Sequence, residues 1–197
     1  MAGDTQRKAI VALFVSLLAI VGYIWLRFSK VMYGLAAVVA LVHDVLITLG
    51  MIALSYWVAP YLGILLIDPF KISLPVLAAF LTIIGYSLND TIVVFDRLRE
   101  NVLVFPNRRF TESVNVSISE TLGRSLNTSL TLLITLSALM LFGGVTLRSF
   151  LLVLLIGVVA GTYSSIAIAT QVLVSWEEGD FGRLIRRVRP GQVAATR

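Results

Sequence analysis

The chain has 197 residues, 58% of them hydrophobic, and a mean hydropathy of +0.93. A soluble domain of this length does not carry so much apolar surface, so the composition specifies a polytopic helical membrane protein. The formal net charge of +5 would point to nucleic acid in a soluble protein; here it is met by basic loops on one side of a bilayer, and the absence of cysteine excludes disulfides, iron–sulfur sites and thiol catalysis.

Five apolar stretches are long enough to span, at residues 9–27, 31–58, 73–96, 121–142 and 148–176. They predict one all-α transmembrane domain over residues 1–176, followed by a charged tail, 177–197. The first stretch is too long for a removable signal peptide, and no small-residue cleavage site follows it. The short turn Arg27-Phe28-Ser29-Lys30 joins the first two spans. Pro60, Pro69 and Pro75 mark the next connection as a loop, because proline breaks helices. Residues 97–120 form the most polar internal segment, with Pro106 in a turn and 111–120 expected as an amphipathic surface helix. Asn115, Ser117, Ser119 and Thr121 recur at every second residue and read as a polar approach to the fourth span. Gly143-Gly144 marks the turn after that span.

Basic residues set the expected orientation. Arg7, Lys8, Lys71 and Arg148 fall on one side; Arg27, Lys30, Arg97, Arg99, Arg108, Arg109, Arg183, Arg186, Arg187, Arg189 and Arg197 fall on the other, which is therefore cytoplasmic. This places the N-terminus of the chain outside. Asn115-Val116-Ser117 matches a glycosylation sequon but lies on the cytoplasmic side, so it is discounted.

Four ionisable residues fall within the spans: His43, Asp44, Asp90 and Arg124. A carboxylate at the centre of a membrane helix costs about 2.5–3.5 kcal/mol on insertion scales, so proton or ion handling is the default hypothesis for Asp90. The third span runs inward and the fourth outward. At about 1.5 Å per residue this brings Asp90 and Arg124 to comparable depth. Two readings stay open. One is a static ion pair that fixes helix packing. The other is a proton relay, in which desolvation opposes ionisation of the acid, a nearby guanidinium favours it, and movement of the guanidinium switches the carboxyl between holding and releasing a proton.

Asp44 is either a second relay member or a hydrogen-bond partner to another helix. His43 reads as a polar packing residue, and as the chain's one histidine it excludes a histidine metal cluster within the chain. Asp96, Arg97, Arg99, Glu100 and Asn101 read as a solvated cap with local ion pairs. Gly157 and Gly161, four apart, signal close helix packing. No phosphate loop and no nucleophilic catalytic constellation occurs, so the expectation is a non-enzymatic membrane protein without cofactor.

Five strings carry a more specific signal, in order along the chain: Leu41-Val42-His43-Asp44-Val45; Ile84-Gly85-Tyr86-Ser87-Leu88-Asn89-Asp90-Thr91 with its continuation to Asn101; Thr121-Leu122-Gly123-Arg124-Ser125 with Thr128-Ser129; Phe142-Gly143-Gly144; and Gly161-Thr162-Tyr163-Ser164-Ser165-Ile166. With them the chain resembles the SecF family of bacterial protein-export membrane proteins, over most of residues 5–175. The resemblance implies membership of the resistance-nodulation-division group and half of a pseudo-symmetric twelve-helix bundle whose other half is SecD. It implies a multi-pass protein of the bacterial plasma membrane that uses the proton motive force to assist late export, with protons as the coupling ion. The implied partners are SecD, the SecY, SecE and SecG translocon channel, unfolded preproteins and the lipid bilayer, with no nucleic acid. It carries the relay acid onto Asp90 and its arginine onto Arg124, with Asn89, Asp44, His43 and Thr128 as supporting polar residues; the Asn89-Asp90 pair favours SecF over SecD.

Family members begin with one further helix and an external domain, so the resemblance implies that this chain is a C-terminal part lacking both. The rival expectations are a proton-driven exporter of the same group for a small molecule or lipid, and a non-conducting scaffold subunit.

Overall fold

The structure is a computed structural model that describes residues 2–28, 31–58 and 74–179. The 29–30 turn, the proline-bearing segment 59–73 and the tail 180–197 lie outside the described residues. The elements are α1 (Ala2–Phe28), α2 (Val31–Val58), α3 (Leu74–Val104), α4 (Phe110–Phe142), a 3-10 turn (Val145–Leu147), α5 (Arg148–Ile166) and α6 (Ile168–Glu177). An apolar run in lipid can satisfy its backbone only within itself, which makes a helix the available solution for each.

Four helical stretches among the described residues are long and apolar enough to cross a membrane: Val31–Leu54, Leu74–Val104, Phe110–Phe142 and Arg148–Glu177. The helix α1 takes the place of the first expected span, its apolar part being Leu18–Phe28.

Four local features differ from expectation. Pro75, expected in the loop, lies in the first turn of α3, where its missing N–H has no helical partner to lose. The 111–120 segment is not a separate surface helix: it is continuous with the fourth span, and Ser113, Val114 and Ser117 are buried against the bundle. The third helix runs on past the expected end to Val104. The fifth span is broken at Ala167 into α5 and α6. Around the break Ser164, Ser165 and Thr170 bond backward to the carbonyls of Gly161, Thr162 and Ile166. Such back-bonding bends helices.

The helix α5 is the hub of the bundle, packing on α3 above all and then on α2 and α4. Gly157 and Gly161 allow this. A Cβ at Gly157 would overlap the Ile83 side chain, and one at Gly161 would lie 3.0 Å from Ser87 Cβ. By contrast α4 is peripheral and turns Leu122, Leu126, Leu130, Ile134 and Leu141 outward. Thr128, Thr131 and Thr135 on this exposed side each donate to the carbonyl four residues back, which removes the cost of a bare hydroxyl in lipid.

Two apolar clusters organise the interior. One gathers Phe28, Tyr33, Phe95, Leu98, Val114 and Leu173. In it the Phe28 ring stacks on Tyr33, and both meet Phe95 edge-on. The other gathers Ile52, Phe80, Ile83, Leu136, Leu151 and Val158. Between them runs a band of buried polar side chains: Asp44 and Thr48 on α2, Ser87, Asp90 and Thr91 on α3, Ser125 and Ser129 on α4, and Ser164 and Ser165 on α5. Arg27 of α1 pairs with Asp96 of α3 at 3.0 Å, and Thr111 of α4 donates to Glu178 beyond α6 at 2.6 Å. These contacts place the two helix ends of each pair at a common level, as alternation of the helices across a membrane requires.

Gly157→Val is therefore expected to destabilise the bundle by about 1–3 kcal/mol through overpacking against Ile83. Gly50→Ala, at an exposed helical site with nothing within 4 Å of the added Cβ, is expected to be neutral or to stabilise by about 0.5–1 kcal/mol. Thermal unfolding in detergent compares the two; equal midpoints would contradict the close approach of α5 to α3.

Candidate functional site

The polar band contains two buried acids with opposite surroundings. Asp44 of α2 is fully buried, and both its oxygens are engaged. Ser87 Oγ of α3 donates to Oδ2 at 2.6 Å, and His43 Nδ1 lies 3.3 Å from Oδ1. Asp44 Oδ2 also stands 3.6 Å from the position of a Cβ at Gly161, so α2, α3 and α5 converge on this carboxylate. Close packing and hydrogen bonding together offset the cost of its burial.

Asp90, one turn further along α3, is 3% exposed, yet its Oδ2 is buried without a hydrogen-bond partner. The Ser125 hydroxyl approaches this carboxyl group from α4, but Ser125 Oγ likewise completes no well-formed hydrogen bond. A buried carboxyl with an unengaged oxygen is an unusual native feature that calls for an explanation in function.

Arg124 follows the turn of α4 to the exposed side. Its charge acts on Asp90 through space, but the ion pairs among the described residues do not join the two. Arg124 instead lines a polar cleft of about 340 Å³ with Val93, Asp96, Arg97, Glu100, Glu120 and Thr121. Val93 is three residues from Asp90 and Thr121 is four from Ser125, so the cleft reaches within about one helical turn of the buried acid.

A second polar link ties the helices together at the level of the band. Tyr86 OH of α3 lies 2.8 Å from Ser129 Oγ of α4, which lies 2.6 Å from Thr162 Oγ1 of α5. Thr162 also donates to the Val158 carbonyl at 2.8 Å, so the chain of hydroxyls ends on backbone. Nearer the charged end, Asn101 is buried and donates to Ser117 Oγ and to Glu120, both at 2.9 Å. Arg97 bonds Glu120 at 2.7 Å and Glu100 at 2.6 Å. The expected local cap at 96–101 is seen in the Arg97–Glu100 pair, but Arg97 and Asn101 also join α3 to Glu120 of α4, and Asp96 reaches Arg27 of α1.

Of the residues singled out from sequence, the structure brings Asp44 and His43 to one node with Gly161, and places Asp90 near Arg124 across the α3–α4 contact. Asn89 and Thr128 lie on exposed faces, and the Thr128 hydroxyl bonds to the Arg124 and Ser125 carbonyls. His43 is half-buried and lines an apolar groove of about 530 Å³ with Ile47, Met51, Leu133, Val159 and Tyr163. Among the described residues no cluster of three or more histidine, aspartate or glutamate side chains is placed to hold a metal ion.

Sequence reasoning missed Ser87, Ser125 and Ser129. The signal for the last two was present: Ser113, Ser117, Thr121, Ser125 and Ser129 recur every four residues and are buried as one stripe along α4. The every-second-residue pattern noted from sequence has no counterpart in a helix.

Residues 1–179 match the family described as protein export membrane protein SecD/SecF, C-terminal. The chain is 45% identical over 197 residues to a protein translocase subunit SecF of Thermobaculum terrenum, an alignment covering 98% of this chain and 59% of that protein. It is 47% identical over 177 residues to one of Desulfurispirillum indicum, covering 88% of this chain and 52% of that protein. The chain thus spans between half and three-fifths of the length of these curated relatives. Among solved structures it superposes on SecDF in a super-membrane-facing form with a TM-score of 0.78 and 38% identity, covering 93% of this chain and 23% of that one. It also superposes on SecDF, a translocon-associated membrane protein, from Thermus thermophilus, with a TM-score of 0.77 and 41% identity, covering 88% of this chain and 22% of that one.

The buried and exposed polar contacts of the site differ in expected strength. Asn101→Ala is expected to cost about 1–3 kcal/mol by removing the two hydrogen bonds that this buried amide makes to α4. Arg27→Ala, which removes a half-exposed ion pair, is expected to cost at most about 1 kcal/mol. Thermal midpoints of the two variants rank them; the reverse order would contradict the buried α3–α4 tie.

Proposed function

The chain belongs to the SecD/SecF family of protein-export membrane proteins, and from that premise we propose that it serves as the SecF side of a proton-driven export unit. In this reading it pairs with a SecD-like half in the bacterial plasma membrane, associates with the SecY, SecE and SecG channel, and converts proton flow into assistance for polypeptide leaving the channel. The charged end carrying Arg97, Arg99, Arg108 and Arg109 faces the cytoplasm, following the distribution of basic residues.

The observation that carries the reading is the Asp90 carboxyl. It is buried in a membrane-spanning helix, and one of its oxygens has no hydrogen-bond partner. A fixed structural acid would be expected to have both oxygens satisfied, as Asp44 does. Asp90 also lies about a turn from a polar cleft whose lining includes Arg124. That arrangement suits a cycle. With Arg124 withdrawn into the cleft, the buried carboxyl holds its proton. When the guanidinium swings toward Asp90, the ionised form is favoured and the proton leaves. Each charge moved across the full membrane is worth about 2.3 kcal/mol per 100 mV, so a few protons supply useful work. Helix movement follows from the coupling, because ionising Asp90 creates an attraction between α3 and α4 that the neutral form lacks.

Asp90→Asn is expected to abolish proton-dependent export while membrane insertion and association with the SecD half persist; export at the parent rate would refute the relay. Arg124→Ala is expected to lower export and to shift its pH profile, since the cation that acts on Asp90 is lost. An unchanged profile would count against the pairing. Both are read in vesicles holding the full complex under an imposed gradient.

A further inference from the structure

We propose that Ser87, held by Asp44, is the positioning residue that sets where Asp90 stands against α4. The consequence of this anchor rests on the relay reading above; its test does not.

The geometry has three parts. First, Ser87 and Asp44 are 1% and 0% exposed, and their 2.6 Å hydrogen bond joins α3 to α2 in the middle of the bundle. Second, α5 closes on the same point: a Cβ at Gly161 would lie 3.0 Å from Ser87 Cβ and 3.6 Å from Asp44 Oδ2. A turn earlier, Gly157 seats the Ile83 side chain of α3. The helix α3 is therefore gripped from two sides at Ser87 and cannot rotate or slide there without breaking the bond to Asp44 or pressing on α5. Third, Asp90 lies three residues on, a rise of about 4.5 Å, and faces α4, where its Oδ2 has no hydrogen-bond partner. A fixed point thus stands directly beside a free one. The same carbonyl turn carries the constraint onward, since Thr91 Oγ1 donates to the Ser87 carbonyl at 3.0 Å.

The surroundings separate the roles of the two acids. Asp44 is faced by His43 of its own helix, by Ser87 of α3 and, through the His43 ring, by Tyr163 of α5, whose ring centre is 6.4 Å away. Asp90 is faced by Ser125 and the charge of Arg124 from α4. The anchor needs an acceptor oxygen at 44 and a donor hydroxyl at 87. It does not need Asp44 to exchange a proton.

The test is the pH midpoint of the Asp90 carboxyl in the full complex, read from the C=O stretch of the protonated acid by difference infrared spectroscopy and assigned by its loss in Asp90→Asn. Ser87→Ala is expected to move that midpoint by about one pH unit, because Asp90 relaxes to a different distance from Arg124 and Ser125. Ser87→Thr keeps the hydroxyl and is expected to keep the midpoint. Asp44→Asn keeps an acceptor oxygen and is expected to keep it as well, whereas Asp44→Ala moves it as Ser87→Ala does. An unmoved midpoint in Ser87→Ala overturns the proposal. Equal shifts in Asp44→Asn and Asp44→Ala also overturn it, by making Asp44 an ionising partner instead of an anchor. Where an alanine variant does not assemble, the two conservative variants decide, and a shifted midpoint in either overturns the anchor. Failure of the relay reading shows separately, as parental export by Asp90→Asn, and leaves the infrared midpoint readable.

Discussion

The close approach of α5 to α3 is the constraint on which the rest of the bundle depends. In lipid there is little hydrophobic drive between apolar helices, so association relies on packing and on buried polar contacts. Gly157 and Gly161 bring α5 onto Ile83 and Ser87 of α3. Once there, α5 also meets α2 and α4, and the Thr162 hydroxyl comes within 2.6 Å of Ser129. Larger residues at the two glycine positions would push the helices apart and open the polar band to lipid, where each unpaired group is costly.

The band is asymmetric in a way that suits a moving part. Where α2 meets α3 the buried acid is bonded: Asp44 is held by Ser87 and His43. Where α3 meets α4 the buried acid is not, with Asp90 Oδ2 and Ser125 Oγ both without a hydrogen-bond partner, although Tyr86 and Ser129 bond across the same contact. The peripheral helix α4 has only 17% of its most apolar window buried, against 56% for the stretch formed by α5 and α6. Much of α4 faces outward, while α3 is held at Ser87. A change of charge at Asp90 therefore acts on the contact between these two helices. Closer to the charged end, Asn101 ties the same two helices, which makes that tie a natural pivot.

Much of this was legible in the sequence. Helix positions followed from apolar runs of spanning length, and Gly157 and Gly161 announced a tight contact through their spacing. Asp90 stood out because a carboxylate in such a run is costly. Other features were hidden for physical reasons. The continuity of α4 was obscured because residues 111–120 are polar, although their buried face is a stripe of small hydroxyls that packs against α3. Ser87 looked unremarkable, since its importance comes from an acid 43 positions earlier in the chain, and no local pattern reports a contact between helices. The exposed placement of Arg124 also escaped a depth argument, which fixes height along the membrane but not direction around the helix.

The central proposal is that Asp90 takes up and releases a proton as the export cycle turns. The most direct measurement is time-resolved infrared spectroscopy of the assembled complex in vesicles while a proton gradient is applied and collapsed. The account predicts that a carboxyl band absent from Asp90→Asn gains and loses intensity in step with the gradient. A band that holds one intensity throughout, while export proceeds, would contradict it.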